Sequence, residues 1–117
     1  MKVSGISQTE IDIFEKLPNL KRLCVVDCGK ITNLNNLKSL EHLEAFANTS
    51  LGNNPKNMFD TNVFNKLKLK ILNVSYNSYV SDISFLNSSL KVLYCADCKL
   101  DQKAISCFDL VAIVASI

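Results

Sequence analysis

Apolar positions along the chain return in one spacing. In Leu20-Lys21-Arg22-Leu23-Cys24-Val25-Val26-Asp27-Cys28, leucines hold the first and fourth places, an aliphatic residue the sixth and a cysteine the ninth. The spacing recurs at Leu40-Glu41-His42-Leu43-Glu44-Ala45-Phe46-Ala47-Asn48 and at Leu69-Lys70-Ile71-Leu72-Asn73-Val74-Ser75-Tyr76-Asn77. It recurs again at Leu90-Lys91-Val92-Leu93-Tyr94-Cys95-Ala96-Asp97-Cys98 and, cut short, at Leu110-Val111-Ala112-Ile113-Val114-Ala115. Within each copy, Leu23-Cys24-Val25 or Leu72-Asn73-Val74 alternates inward, outward, inward, which is the period of a short strand. Each copy is expected to bury about three aliphatics there, at roughly 1.5–3 kcal/mol apiece. A single copy cannot stand alone, because its strand has no partner for its backbone groups until the next stacks on it in parallel.

Between the strands a second series appears, Ile31, Leu34 and Leu37, then Val80, Ile83 and Leu86. A step of three suits short 3₁₀ turns better than an α-helix. The segment after Leu40 is longer and holds Gly52-Asn53-Asn54-Pro55, then Asp60 as a helix N-cap ahead of Val63, Phe64 and Leu67. It predicts a helical turn or two over 61–67. Ile11, Phe14 and Leu17 precede Leu20 as Ile31, Leu34 and Leu37 precede Leu40, so residues 1–19 read as the back half of an earlier unit. Toward the other end the chain reads as a further strand at 110, with a terminal helix over 106–116 as the alternative.

Composition sharpens this reading. With 16 Leu and 13 Asn but only 3 Gly and 2 Pro, the chain has to turn by some device other than glycine and proline. The pattern L-x-x-L-x-L-x-x-N/C resembles the leucine-rich-repeat family, in particular its short-repeat class found in internalins and phosphatase-regulatory proteins, and the Asp82-Ile83-Ser84 phrase is part of the likeness. The resemblance implies an α/β fold: a leucine-rich-repeat solenoid with a curved parallel β-sheet on its concave face and 3₁₀ or short helical segments on its convex face. It would form one domain over 1–117, with a half unit over 1–19, repeats starting at 20, 40, 69 and 90, and a truncated one at 110. Neither end carries the polar cap that solenoids need. The chain is therefore expected to be a fragment of a longer array, or to self-associate through its uncapped ends or meet another protein there.

Charge and hydropathy narrow the setting. Thirteen Lys and Arg stand against eleven Asp and Glu with no basic run, which argues against a nucleic-acid module. No stretch reaches the roughly 18 apolar residues of a membrane span, and residues 1–8 lack the apolar core of a secretory signal. A cytoplasmic location without membrane attachment is expected.

Candidate chemistry is sparse. Cys95-Ala96-Asp97-Cys98 is a C-x-x-C, the spacing of a redox pair or of half a zinc site. In register, however, Cys95 shares the inner position of Val25, Ala45 and Val74, and Cys98 and Cys28 share that of Asn48 and Asn77, where a side chain turns inward to bond the backbone at the bend. Buried structural thiols are the expectation, with a thiol redox or metal protein as the alternative function. Five cysteines, an odd number at coil spacing, fit a reducing compartment better than a disulfide framework. Cys24 alone falls at an outward position. His42, the single histidine, has no nucleophile placed beside it, and no Gly-rich phosphate loop occurs. Asp27 and Asp97 share a column but sit roughly 14 Å apart at a strand spacing of 4.7–4.9 Å, too far for paired-carboxylate chemistry. Asn48, Asn73 and Asn87 match the glycosylation acceptor pattern, but a chain this rich in Asn, Ser and Thr meets it by chance. The reading is of no enzyme and no cofactor.

The resemblance implies a non-catalytic protein–protein interaction module that uses the concave strand face. Register names its outward columns: Cys24, Glu44, Asn73 and Tyr94; then Val26, Phe46, Ser75 and Ala96; then Asp27, Ala47, Tyr76 and Asp97. Phe46, Tyr76 and Tyr94 are aromatics of the kind that anchor interfaces. The expected partner-binding set is Glu44, Phe46, Asn73, Tyr76, Tyr94 and Asp97, with Glu44 and Asp97 setting the electrostatic preference at its rim. Aromatics also favour strands for their own sake.

Overall fold

The computed structural model of the chain describes residues 1–4, 8–46, 59–77 and 80–96, with the strand over 112–114; for Gly29, Phe46 and 112–114 the description is of the backbone. Six strands form one parallel sheet in chain order: β1 (Lys2–Ser4), β2 (Arg22–Val26), β3 (His42–Phe46), β4 (Ile71–Asn73), β5 (Val92–Tyr94) and β6 (Ala112–Val114). The register reproduces the sequence columns. Leu23 pairs with Leu43, Leu43 with Leu72, Leu72 with Leu93 and Leu93 with Ile113. Leu23, Leu43, Leu72 and Leu93 are fully buried, as are Val25, Ala45 and Val74 two residues on. The alternation of inner leucines therefore does set the strands, and all neighbours run parallel because each connection returns the chain to the same end of the sheet.

One end departs from expectation and the other meets it. Residues 1–19 are more than a back half, since β1 pairs with β2 and Val3 stands opposite Val25. Lys2-Val3-Ser4 is too short and too polar to announce itself as a strand. At the other end, 112–114 is a strand and not the alternative helix.

The returning segments step in threes, as expected. The amide of Leu37 donates to Leu34 and that of Leu40 to Leu37; Leu17, Leu20, Leu67 and Leu86 repeat the bond to the third residue back. Side chains three apart in such turns eclipse one another, so Leu34, Leu37, Leu40, Leu67 and Leu86 face the core, while Leu17 at the first return is exposed. Regular 3₁₀ turns form at Ile13–Lys16, Cys28–Lys30, Thr61–Val63 and Ser84–Leu86, and one short helix, α1 (Gln8–Asp12), precedes the first of them. The helix expected over 61–67 is thus a 3₁₀ turn over 61–63. Asp60 caps it as expected, its carboxylate accepting from the Asn62 amide at 2.9 Å. Phe59 before the cap stacks on Phe64 with ring centroids 5.8 Å apart, the staple that fixes how the chain enters the turn.

Asparagine and aspartate supply the turning device. Asn33, Asp60, Asn73 and Asp82 each accept a hydrogen bond from the amide two residues on. Polar side chains also tie neighbouring returns together. Gln8 Oε1 accepts from the amides of Thr32 and Asn33, Asn35 Oδ1 accepts from the Lys66 amide, and Thr61 Oγ1 accepts from the amides of Ser81 and Asp82.

Candidate interaction face

The outward side of the sheet is the surface that the strands hold in fixed register. One row across it reads Lys2, Cys24, Glu44, Asn73 and Tyr94, and the row before reads Arg22, His42, Ile71 and Val92. Polar groups collect on β2 and β3. Glu44 Oε1 lies 2.9 Å from His42 Nε2 and 3.3 Å from the Arg22 guanidinium. A carboxylate only accepts, so Nε2 carries the proton in this pair. His42 is accordingly half-buried against Glu44 instead of facing solvent freely. Glu44 belongs to the middle of the face, with its charge already engaged, and is not a rim residue.

Cys24 sits at an outward position but is only 9% exposed. Burial, then the Glu44 charge and a hydrogen bond to Glu44, push its thiol up from the ordinary value. A neighbouring carboxylate is the opposite of what activates a thiolate. Cys28 and Cys95 are buried among the apolar columns, and burial pushes both thiols up, that of Cys28 to about 12. Cys24, Cys28 and Cys95 are free thiols. Cys98, the partner of Cys95 in the C-x-x-C, lies outside the described residues.

The expected partner-binding residues divide. Glu44, Asn73 and Tyr94 share one row, and the Tyr94 ring is 38% exposed. Tyr76 is 48% exposed but stands beyond the end of β4, in a turn, with φ of 66°. Asp27, in the same sequence column, has φ of 57°. The bend after each of these two strands demands the left-handed conformation, which an aspartate tolerates and a tyrosine disfavours. Ser75, expected to face outward, is buried, and its hydroxyl accepts from the Ala96 amide at 3.0 Å. Phe46 is placed by its backbone at the end of β3, opposite Val26. Asp97 lies outside the described residues.

The sequence reading passed over Arg22, Ile71 and Val92, which share the outward row before Tyr94. The signal was present, since strand alternation places residues two before an outward position on the same face.

Among the described residues, no three His, Cys, Asp or Glu side chains converge to hold a metal ion, and no helix is long and apolar enough to cross a membrane. A shallow recess between returning segments is lined by Asn33, Asn35, Lys38, Lys66 and Lys68. Asn35 there is spent on the Lys66 amide and on Asn65 Oδ1. No family model matches the chain, and no curated protein or solved structure matches it either.

Proposed function

We propose that the chain is a leucine-rich-repeat solenoid module, non-catalytic, that binds a protein partner through the outward face of its sheet. The observation that carries this reading is the exposure of two tyrosines, Tyr94 on the face and Tyr76 at the bend beside it. A bulky residue in the left-handed region costs about 1–2 kcal/mol. A side chain kept at that cost, with its ring in solvent, is one whose use lies outside the fold. Tyrosine supplies a large apolar surface with a polar end, the combination that anchors interfaces. The fold reading rests on the leucine columns, the step of three in the returns and the inward-turned Asn77. Three free, buried thiols support a reducing compartment, the cytoplasm.

The test is affinity capture with the parent chain and a Tyr76→Ser/Tyr94→Ser variant, followed by titration of the captured partner in purified form. Loss of affinity by about tenfold or more in a variant that still melts cooperatively supports the reading. Equal affinity of the two rules the tyrosines out as the binding surface.

A further inference from the structure

The cations of the outward face gather along one edge. The residues immediately ahead of β2 to β5 are Lys21, Glu41, Lys70 and Lys91, one per strand along one edge of the face. Glu41 is shared between Lys21 at 3.9 Å and Lys70 at 3.6 Å, all three exposed, so one carboxylate serves two ammonium groups. Lys91 has no carboxylate within ion-pair distance among the described residues. On the strands themselves the outward charges are Lys2, Arg22 and Glu44, and the Glu44 carboxylate is taken up by Arg22 and His42. Among the described residues, edge and face hold five cations, Lys2, Lys21, Arg22, Lys70 and Lys91, against Glu41 and Glu44, with Asp27 at the bend after β2. Of the other described acidic residues, Glu10, Asp12 and Glu15 lie in and after α1, and Asp60 and Asp82 in the turns they begin. Beside the lysine edge the face turns apolar, at Ile71, Val92 and Tyr94.

We infer, building on the interaction reading above, that the face takes an acidic protein segment carrying an apolar side chain. Its carboxylates would lie along Lys70 and Lys91 while the apolar group packs on Ile71, Val92 and Tyr94. Lysines at neighbouring strands start about 4.8 Å apart and alternate residues of an extended acidic peptide about 6.6 Å apart, a difference that the long lysine stems can span. A nucleic acid is the poorer fit. Its phosphates are dense, about one charge per 1.7 Å of duplex, and would run over Glu41 and the aliphatic surface between the lysines.

The probes are a fluorescent random copolymer of glutamate and tyrosine, one of lysine and tyrosine, and a duplex oligonucleotide, each titrated by anisotropy. The proteins are the parent, Lys70→Glu/Lys91→Glu on the face, Lys38→Glu/Lys66→Glu on the returning segments, and Tyr94→Ser, all checked for folding. The inference expects the glutamate copolymer to bind, to weaken about tenfold or more in the face reversal and with added salt, and to be unchanged by the reversal on the returns. Equal losses in both reversals, or tighter binding of the oligonucleotide with the same dependence on Lys70 and Lys91, overturn it. Preference for the lysine copolymer, lost in Tyr94→Ser, overturns the charge inference while leaving the face as the binding surface. Binding that responds to neither the face reversal nor Tyr94→Ser overturns the face reading as well.

Discussion

The Cys28 thiol donates to Asn77 Oδ1 across 3.4 Å of fully buried space, joining residues 49 apart in the chain. The same asparagine directs its amide nitrogen to the Ala45 carbonyl at 2.8 Å and to the carbonyls of Val74 and Ser75 at 3.3 and 3.4 Å. One side chain thus satisfies backbone from two neighbouring bends, and a thiol on a third bend meets its oxygen. Replacing Asn77 with Leu keeps the size and removes the side-chain donor from the Ala45 carbonyl, while the Val74 carbonyl keeps its bond from the backbone amide of residue 77. Each buried group left unpaired costs about 1–3 kcal/mol. Asn77→Leu is expected to lose about 2 kcal/mol, read as a lower urea midpoint.

Tyr76 carries the opposite expectation. Tyr76→Asn should relieve the left-handed backbone and gain about 1 kcal/mol, because asparagine enters that region far more readily. The same substitution should weaken partner binding. A gain in midpoint with a loss of affinity separates the two roles; a loss of stability would mean that the ring packs on its neighbours more than its 48% exposure indicates.

Two serines at matched positions should respond differently. Ser39 precedes Leu40 and donates to the Leu20 carbonyl at 2.7 Å, while Ser89 precedes Leu90 and its buried hydroxyl has no hydrogen-bond partner. Ser39→Ala is expected to cost about 1 kcal/mol. Ser89→Ala is expected to be neutral or stabilising, since it removes a buried group that is not paired. Paired urea melts read both.

The buried thiols predict an alkaline limb. With the Cys28 pKa raised from 9.0 to about 12 by burial, the folded state holds the proton that the unfolded state gives up. The contribution is fully present below pH 9 and is lost as the pH climbs toward 12, at up to ~1.4 kcal/mol per pH unit. Cys28→Ala should flatten that limb relative to the parent. Native protein at neutral pH should leave Cys28 unlabelled by a thiol reagent until it is unfolded; rapid labelling of the folded chain would contradict the burial.

Much of this architecture is legible in the residue pattern, and the reasons are physical. The register of β2 to β6 follows from Leu23, Leu43, Leu72, Leu93 and Ile113, because a column of buried side chains on a period-two strand leaves one pairing that keeps them all inside. The 3₁₀ turns follow from the step of three, and the cap at Asp60 from its side chain. Strand β1 does not follow, since Lys2, Val3 and Ser4 are held by backbone pairing with β2 and offer one half-buried aliphatic. The face was half legible. Alternation names its outward positions, yet where a strand stops is set by the bend, and so Ser75 turns inward and Tyr76 leaves the sheet. Charge was the least legible part: His42 and Glu44 are two apart on one strand, but the approach of Arg22 to Glu44 is a diagonal contact that only the register reveals.

The most direct test of the interaction reading places a photo-crosslinking phenylalanine analogue at Tyr94 on the face and, in a second protein, at the exposed Asn87 on the returning side. Each is irradiated with the captured partner at the same occupancy. The account predicts a covalent adduct from position 94 and none from position 87. Adducts from position 87 alone would place the partner on the returning side and contradict the outward sheet face as the binding surface.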